Sequence, residues 1–142
     1  MAELFASTKL LKNRGGAASA ANALAGKIVG VYFCAHWCPP CRLFTPKLRS
    51  FYEATSKEFE VVFVSLDNTL DEMKEYLDEA HGNWYYLEPH NPMVPELASH
   101  FANECIPQLT VIRPNGDVIE HDAVSSVCNI EPMELLAKWR NF

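Results

Sequence analysis

Apolar positions along the chain follow two periods. Residues 28–34, IVGVYFC, and 60–66, EVVFVSL, are nearly unbroken apolar runs with β-branched and aromatic members, the pattern of strands buried on both faces. Between them, from Pro39 to Thr55, Phe44, Leu48, Phe51 and Tyr52 recur at helical spacing, while Arg42, Lys47, Arg49 and Glu53 lie elsewhere. That predicts an amphipathic helix. Pro46 falls inside it, has no amide for the ladder, and is expected to kink the axis. DNTLDEMKEYLDEA then offers an N-cap, for which Asp67 is one candidate, followed by Leu70, Met73 and Leu77 on one face. The order opens as β-α-β-α.

Beyond a polar link containing HGNWYYLEPHN, the segment MVPELASHFANE predicts a short helix. QLTVIR, PNGD and VIEH predict strand, turn and strand, and only antiparallel neighbours can share so tight a turn. EPMELLAKWRNF carries Leu135, Leu136 and Trp139 at helical spacing and is expected to close the fold as a packed helix. Residues 1–26 form an irregular or hairpin lead-in, with the alanines of 17–25 offering a competing helical turn that Gly26 would end. Together these elements predict an α/β fold, a central mixed β-sheet flanked by α-helices on both faces, with residues 1–142 as a single domain.

Composition narrows the function. With 142 residues, 49% hydrophobic and 21% charged, the chain suits one globular domain with a continuous core. A net charge of -6 opposes attraction to nucleic acid or to an anionic membrane. No apolar run approaches the roughly 20 residues of a membrane span, and the N-terminus lacks a compact apolar segment with a cleavage site. Lys9, Lys12 and Arg14 leave only a weak organellar-targeting signal, so the cytoplasm is the expected compartment, with the nucleus as the alternative. Five cysteines are odd in number and sparse, which fits a reducing compartment and makes the close pair in AHWCPPCR a metal or redox site rather than a staple.

The spacing assigns roles to that pair. Cys38 at the N-cap and Pro39 at the first helical position use the fact that this amide has no intrahelical partner. Cys41 then shares the stripe of Phe44, Leu48 and Phe51 and faces the core, while Cys38 sits at an exposed helix tip. The positive helix end stabilises a thiolate, so Cys38 is the expected nucleophile and Cys41 the resolving thiol. Pro39 and Pro40 remove two amide donors, leaving those of Cys41 and Arg42, which implies moderate thiolate stabilisation and a potential on the order of -200 to -270 mV. Zinc held by Cys34, His36, Cys38 and Cys41 would distort both the strand and the helix, whereas structural zinc draws on separated ligand pairs; no metal is expected. Trp37 is expected to wall a substrate groove, and Cys34 and Cys128 to be inert packing residues. Arg42 is a solvated charge or an electrostatic support, Asp67 a helix cap or a proton relay, and Cys105 a candidate regulatory thiol.

WCPPC, Pro46 and CIPQLTVI resemble the thioredoxin superfamily, and YFCAHWCPPCRLFTPKLRSFY with FEVVFVSLD is most similar to its tryparedoxin and nucleoredoxin group. The resemblance covers roughly residues 26–120 and implies a thioredoxin fold. It also implies Cys38 as attacking and Cys41 as resolving thiol, and a cis Ile106–Pro107 bond facing them. Trp37, Pro39, Pro40, Ile106 and Pro107 then form the substrate surface. Thioredoxins themselves carry a buried aspartate six residues before the first cysteine; Tyr32 stands here, so deprotonation of Cys41 needs another base or water. The expected function is a monomeric thiol-disulfide oxidoreductase that reduces protein disulfides. It needs no cofactor beyond the Cys38–Cys41 disulfide and takes electrons from an external thiol or reductase. The alternative is a redox-sensitive binding module of nucleoredoxin type.

Overall fold

The run Ile28–Cys34 becomes β3, and every residue of it is buried. In this computed structural model, which describes residues 24, 26–80, 82, 84–89, 91–101 and 105–141 and the backbone of 9–12 and 17–19, β3 lies inside a seven-stranded sheet. The other strands are β1 (Lys9–Lys12), β2 (Ala17–Ser19), β4 (Phe59–Ser65), β5 (Tyr85–Leu87), β6 (Gln108–Ile112) and β7 (Val118–Glu120). Their order is β2-β1-β5-β4-β3-β6-β7. β3 pairs parallel with β4 and β4 parallel with β5, while the β3–β6, β6–β7, β1–β2 and β1–β5 pairs are antiparallel, so the sheet is mixed. The lead-in is a hairpin, with Leu10 opposite Ala18.

The helices are α1 (Pro39–Thr55), α2 (Leu70–Ala80), α3 (Met93–His100), α4 (Val124–Asn129) and α5 (Pro132–Arg140). Side-chain alternation in β3 builds two cores. Ile28, Tyr32 and Cys34 join Leu48 and Phe51 of α1, Met73 and Tyr76 of α2 and Trp139 of α5, whereas Val29, Val31 and Phe33 join Val94 and Leu97 of α3. Helices therefore cover both faces, and the architecture is the thioredoxin fold. Gly30 is the exception in β3's alternation: a Cβ there would lie 2.8 Å from Leu109 and Phe59, so the inner face has room only for hydrogen. No helix among the described residues is long and apolar enough to cross a membrane.

Several expectations shift. The polar link hides β5, a three-residue strand that the parallel pairing of Tyr85, Tyr86 and Leu87 with Val62, Phe63 and Val64 holds in place. The six-residue α4 also went unpredicted, being short and serine-rich; the Asp122 carboxylate accepts the Val124 amide at its start. Asp67 does not cap α2. That task falls to Thr69, which accepts the Glu72 amide at 3.2 Å while its hydroxyl bonds the Glu72 carboxylate, a reciprocal capping box.

Candidate active site

After β3 the chain turns through Ala35, His36 and Trp37 into Cys38, the N-cap of α1, with Pro39 at the first helical position. The Cys38 carbonyl accepts the Arg42 amide at 3.2 Å, and its side chain caps no backbone group. That sulfur is therefore free for other partners. The Cys38 thiol donates toward the Ile106 carbonyl at 3.9 Å, across a cis Ile106–Pro107 bond that brings the loop before β6 over the helix tip. The expectation of an exposed Cys38 is corrected here: only 5% of it is accessible, because it packs into the same core cluster as Ile106, and Cys41 is not accessible at all. Access still ranks the two, since a partner sulfur can meet only Cys38.

All five cysteines are free thiols, and three of them meet at the site. The Cys41 sulfur accepts hydrogen bonds from the Cys34 thiol, the Cys38 thiol and the Ala35 amide, and the Cys41 amide donates to the Cys38 sulfur. Chiefly through the bond from Cys34, and against burial, Cys41 is drawn down to about 7. Burial, reinforced by the hydrogen bond to Cys41, pushes Cys38 up to about 11. This reverses the expectation drawn from the helix end. The pair gives up one proton near neutrality, and in this arrangement the charge rests on Cys41 while Cys38 keeps its proton. Of the two amides left by the prolines, only that of Cys41 serves the Cys38 sulfur; that of Arg42 is taken by the Cys38 carbonyl.

Under Cys41 lies a hydroxyl cluster. Thr45 Oγ1 donates to the Cys41 carbonyl at 2.9 Å and stands 2.7 Å from the Tyr32 hydroxyl and 2.6 Å from that of Tyr76. A threonine hydroxyl has one hydrogen and two lone pairs. With its hydrogen spent on the Cys41 carbonyl, both tyrosines must donate to it. Burial holds Tyr32 and Tyr76 well above the usual phenol range, so both stay neutral and neither is a base.

The remaining candidates fall into place around this centre. Asp67 is nearly buried, accepts the His36 amide at 2.7 Å and the Ser65 hydroxyl at 2.8 Å, and burial raises its carboxyl. It thus ties the loop before Cys38 to the end of β4. Arg42 spans Glu79 of α2 at 2.8 Å and the His36 carbonyl at 3.2 Å, a clamp on the same loop with its charge directed away from the sulfurs. Trp37, Pro39 and Pro40 are exposed beside Cys38, as is Leu43 at 75%. Pro107 is half-buried and Cys105 is exposed next to Ile106. Cys128, expected to pack, is exposed on α4 instead. Ligand atoms of His36, Glu75 and Glu79 lie within 4.8 Å of one another, a group that contains no cysteine and whose Glu79 already pairs with Arg42.

Cys34, Thr45 and Tyr76 are the site residues that sequence reasoning missed. The signal for Cys34 was available: strand alternation puts it on the face of Tyr32, and the helical stripe puts Cys41 on the same face.

Comparison with known proteins agrees with this geometry. A family model described as thioredoxin-like matches residues 26–118. The chain is 37% identical to the probable nucleoredoxin 3 of Oryza sativa subsp. japonica over 103 residues, covering 70% of this chain and 21% of that protein. It is 40% identical to the tryparedoxin of Trypanosoma brucei brucei over 99 residues, 68% of this chain and 67% of the other. The crystal structure of thioredoxin from Wuchereria bancrofti superposes with a TM-score of 0.82 at 38% identity, covering 94% of each chain. The chain thus spans about a fifth of the length of the rice relative.

Proposed function

We propose, from the premise that this chain belongs to the thioredoxin-like family, that it is a thiol-disulfide oxidoreductase that reduces protein disulfides through Cys38 and Cys41. One observation carries this: two hydrogen-bonded thiols at a helix N-terminus share an ionisation near neutrality, and only the outer one can be touched. Moving the proton across the Cys38–Cys41 hydrogen bond places the negative charge on Cys38. That thiolate attacks one sulfur of a partner disulfide, forming a mixed disulfide and releasing the first partner thiolate, which takes a proton from solvent. Cys41 then loses its proton and attacks Cys38. The Cys38–Cys41 bond forms, the bond to the partner breaks, and the second partner thiol leaves. The partner gains two electrons and the protein is oxidised; an external thiol or reductase returns it to the dithiol.

Trp37, Pro39, Pro40, Ile106 and Pro107 surround Cys38 and are the proposed contact surface for an extended substrate segment. Asp67 and Arg42 are proposed to act indirectly, by holding the His36–Trp37 loop from two sides. The second reading, a redox-sensitive docking module, is favoured by the exposed apolar side chains of Trp37 and Leu43. Insulin-disulfide reduction driven by dithiothreitol separates the two. The reductase reading expects acceleration over dithiothreitol alone that disappears in Cys38→Ser; no acceleration by the wild-type protein supports the docking module.

A further inference from the structure

We propose that Cys34 is a positioning residue for the resolving step: its thiol donates the hydrogen bond that holds Cys41 as the attacking thiolate once Cys38 is tied up in the mixed disulfide. This rests on the dithiol reading above and extends it to a third sulfur. The placement follows from the fold. Cys34 is the last residue of β3, fully buried, on the sheet face that α1 covers, in the same cluster as Cys38 and Cys41. Its register partner is Ser65, whose hydroxyl is bonded to Asp67, so the sulfur is enclosed on the strand side as well.

Three donors serve the Cys41 sulfur in the reduced protein: Cys34, Cys38 and the Ala35 amide. The mixed disulfide removes one of them. A Cys38 sulfur bonded to the partner has no hydrogen to give, so at the moment Cys41 must ionise, only the Cys34 thiol and the Ala35 amide remain from that set. The hydroxyls beneath do not replace the missing donor, because Tyr32 and Tyr76 direct their hydrogens to Thr45 and Thr45 directs its own to the Cys41 carbonyl. Cys34 is suited to the task because burial keeps it protonated far above the usual thiol range, so it remains a donor wherever Cys41 is charged. The other titratable groups around Cys41 are Asp67 after β4, whose charge opposes the Cys41 thiolate, Tyr32 on β3, Tyr76 on α2, His36 in the loop and Arg42 on α1. Atoms balance without an added reagent. Cys41 releases its proton to solvent, its sulfur bonds to Cys38, and the partner thiolate leaves and is protonated, while Cys34 stays a thiol throughout.

The test uses the aromatic disulfide 5,5′-dithiobis(2-nitrobenzoate) as substrate, with Cys105→Ser and Cys128→Ser in every protein so that only the site sulfurs report. Attack by Cys38 releases one coloured thiolate, and resolution by Cys41 releases a second. Cys34→Ala is expected to leave the first phase near the wild-type rate. It slows the second about three- to ten-fold at neutral pH, the loss of one hydrogen bond to a charged sulfur partly offset by the higher nucleophilicity of a more basic thiolate. The pH midpoint of the second phase moves upward with it. Cys34→Ser, which restores an O–H donor in the same place, is expected to return the second phase to within about two-fold of wild type. If Cys34→Ala does not fold, Cys34→Val fills the space without a donor and gives the same readout. A second phase in Cys34→Ala or Cys34→Val whose pH profile superimposes on wild type overturns the role of Cys34, as does a Cys34→Ser protein shifted as far as the donor-free variant. Absence of the first phase in the wild type would instead remove the dithiol reading itself.

Discussion

The Cys41 sulfur collects three hydrogen bonds although no partner can reach it, while Cys38, which a partner can reach, keeps the proton. That division has a spectroscopic consequence. Thiolate absorbance of the reduced protein, with Cys105→Ser and Cys128→Ser, is expected to rise in one step near pH 7 and again near pH 11. A single step in the ordinary thiol range near 8.5 would mean that the two sulfurs do not share a proton. Asp67 makes a second residue-level case. Because burial raises its carboxyl, the folded state holds that proton more tightly than the unfolded state. Stability then falls as pH climbs from the ordinary aspartate range through the raised value. Asp67→Asn keeps an acceptor for the His36 amide and removes the buried charge, so thermal midpoints measured across that window should flatten and lie at or above wild type on its alkaline side. A midpoint lower than wild type at every pH would show that the carboxylate charge itself is needed.

At the level of elements, α1 is where local chemistry and packing meet. Its range, its buried stripe and the core-facing Cys41 follow the sequence pattern, since a long amphipathic period with proline at the first position leaves few alternatives. The strand β3 was equally legible. What escaped was short or depended on contacts: β5 has three residues, α4 has six, and the Thr45 cluster joins β3, α1 and α2 through hydroxyls that no periodicity records. The Cys38 ionisation was misjudged for the same reason, because the helix end was visible in the sequence and the Cys34 thiol beside Cys41 was not. Two substitutions test these elements. Thr45→Val removes the acceptor that Tyr32 and Tyr76 share and should lower unfolding free energy by about 1–3 kcal/mol in a urea titration. Pro40→His restores a backbone amide beside the Cys38 sulfur and adds a potential positive charge, so the reduction potential should rise against a glutathione buffer. Each 30 mV corresponds to about 1.4 kcal/mol for this two-electron couple. An unchanged potential would show that the missing amide has no part in setting it.

Across the whole molecule, a sheet covered on both faces brings the C-terminal end of β3, the N-terminus of α1 and the loop before β6 to one edge. The sheet's tightness is part of that placement. Gly30→Ala would press a methyl against Leu109 and Phe59 between β3's neighbours and should cost about 1–3 kcal/mol, read as a lower urea midpoint. The central claim is that Cys38 attacks from this edge and Cys41 resolves, and Cys41→Ser tests it most directly. A serine hydroxyl ionises far above a thiol and cannot expel the bound sulfur at neutral pH. Incubated with a disulfide-bonded protein and run on a non-reducing gel, Cys41→Ser should accumulate covalent adducts that dithiothreitol dissolves and that Cys38→Ser with Cys41→Ser does not form. Turnover by Cys41→Ser at the wild-type rate without added thiol, or adducts that persist in the double variant, would contradict it.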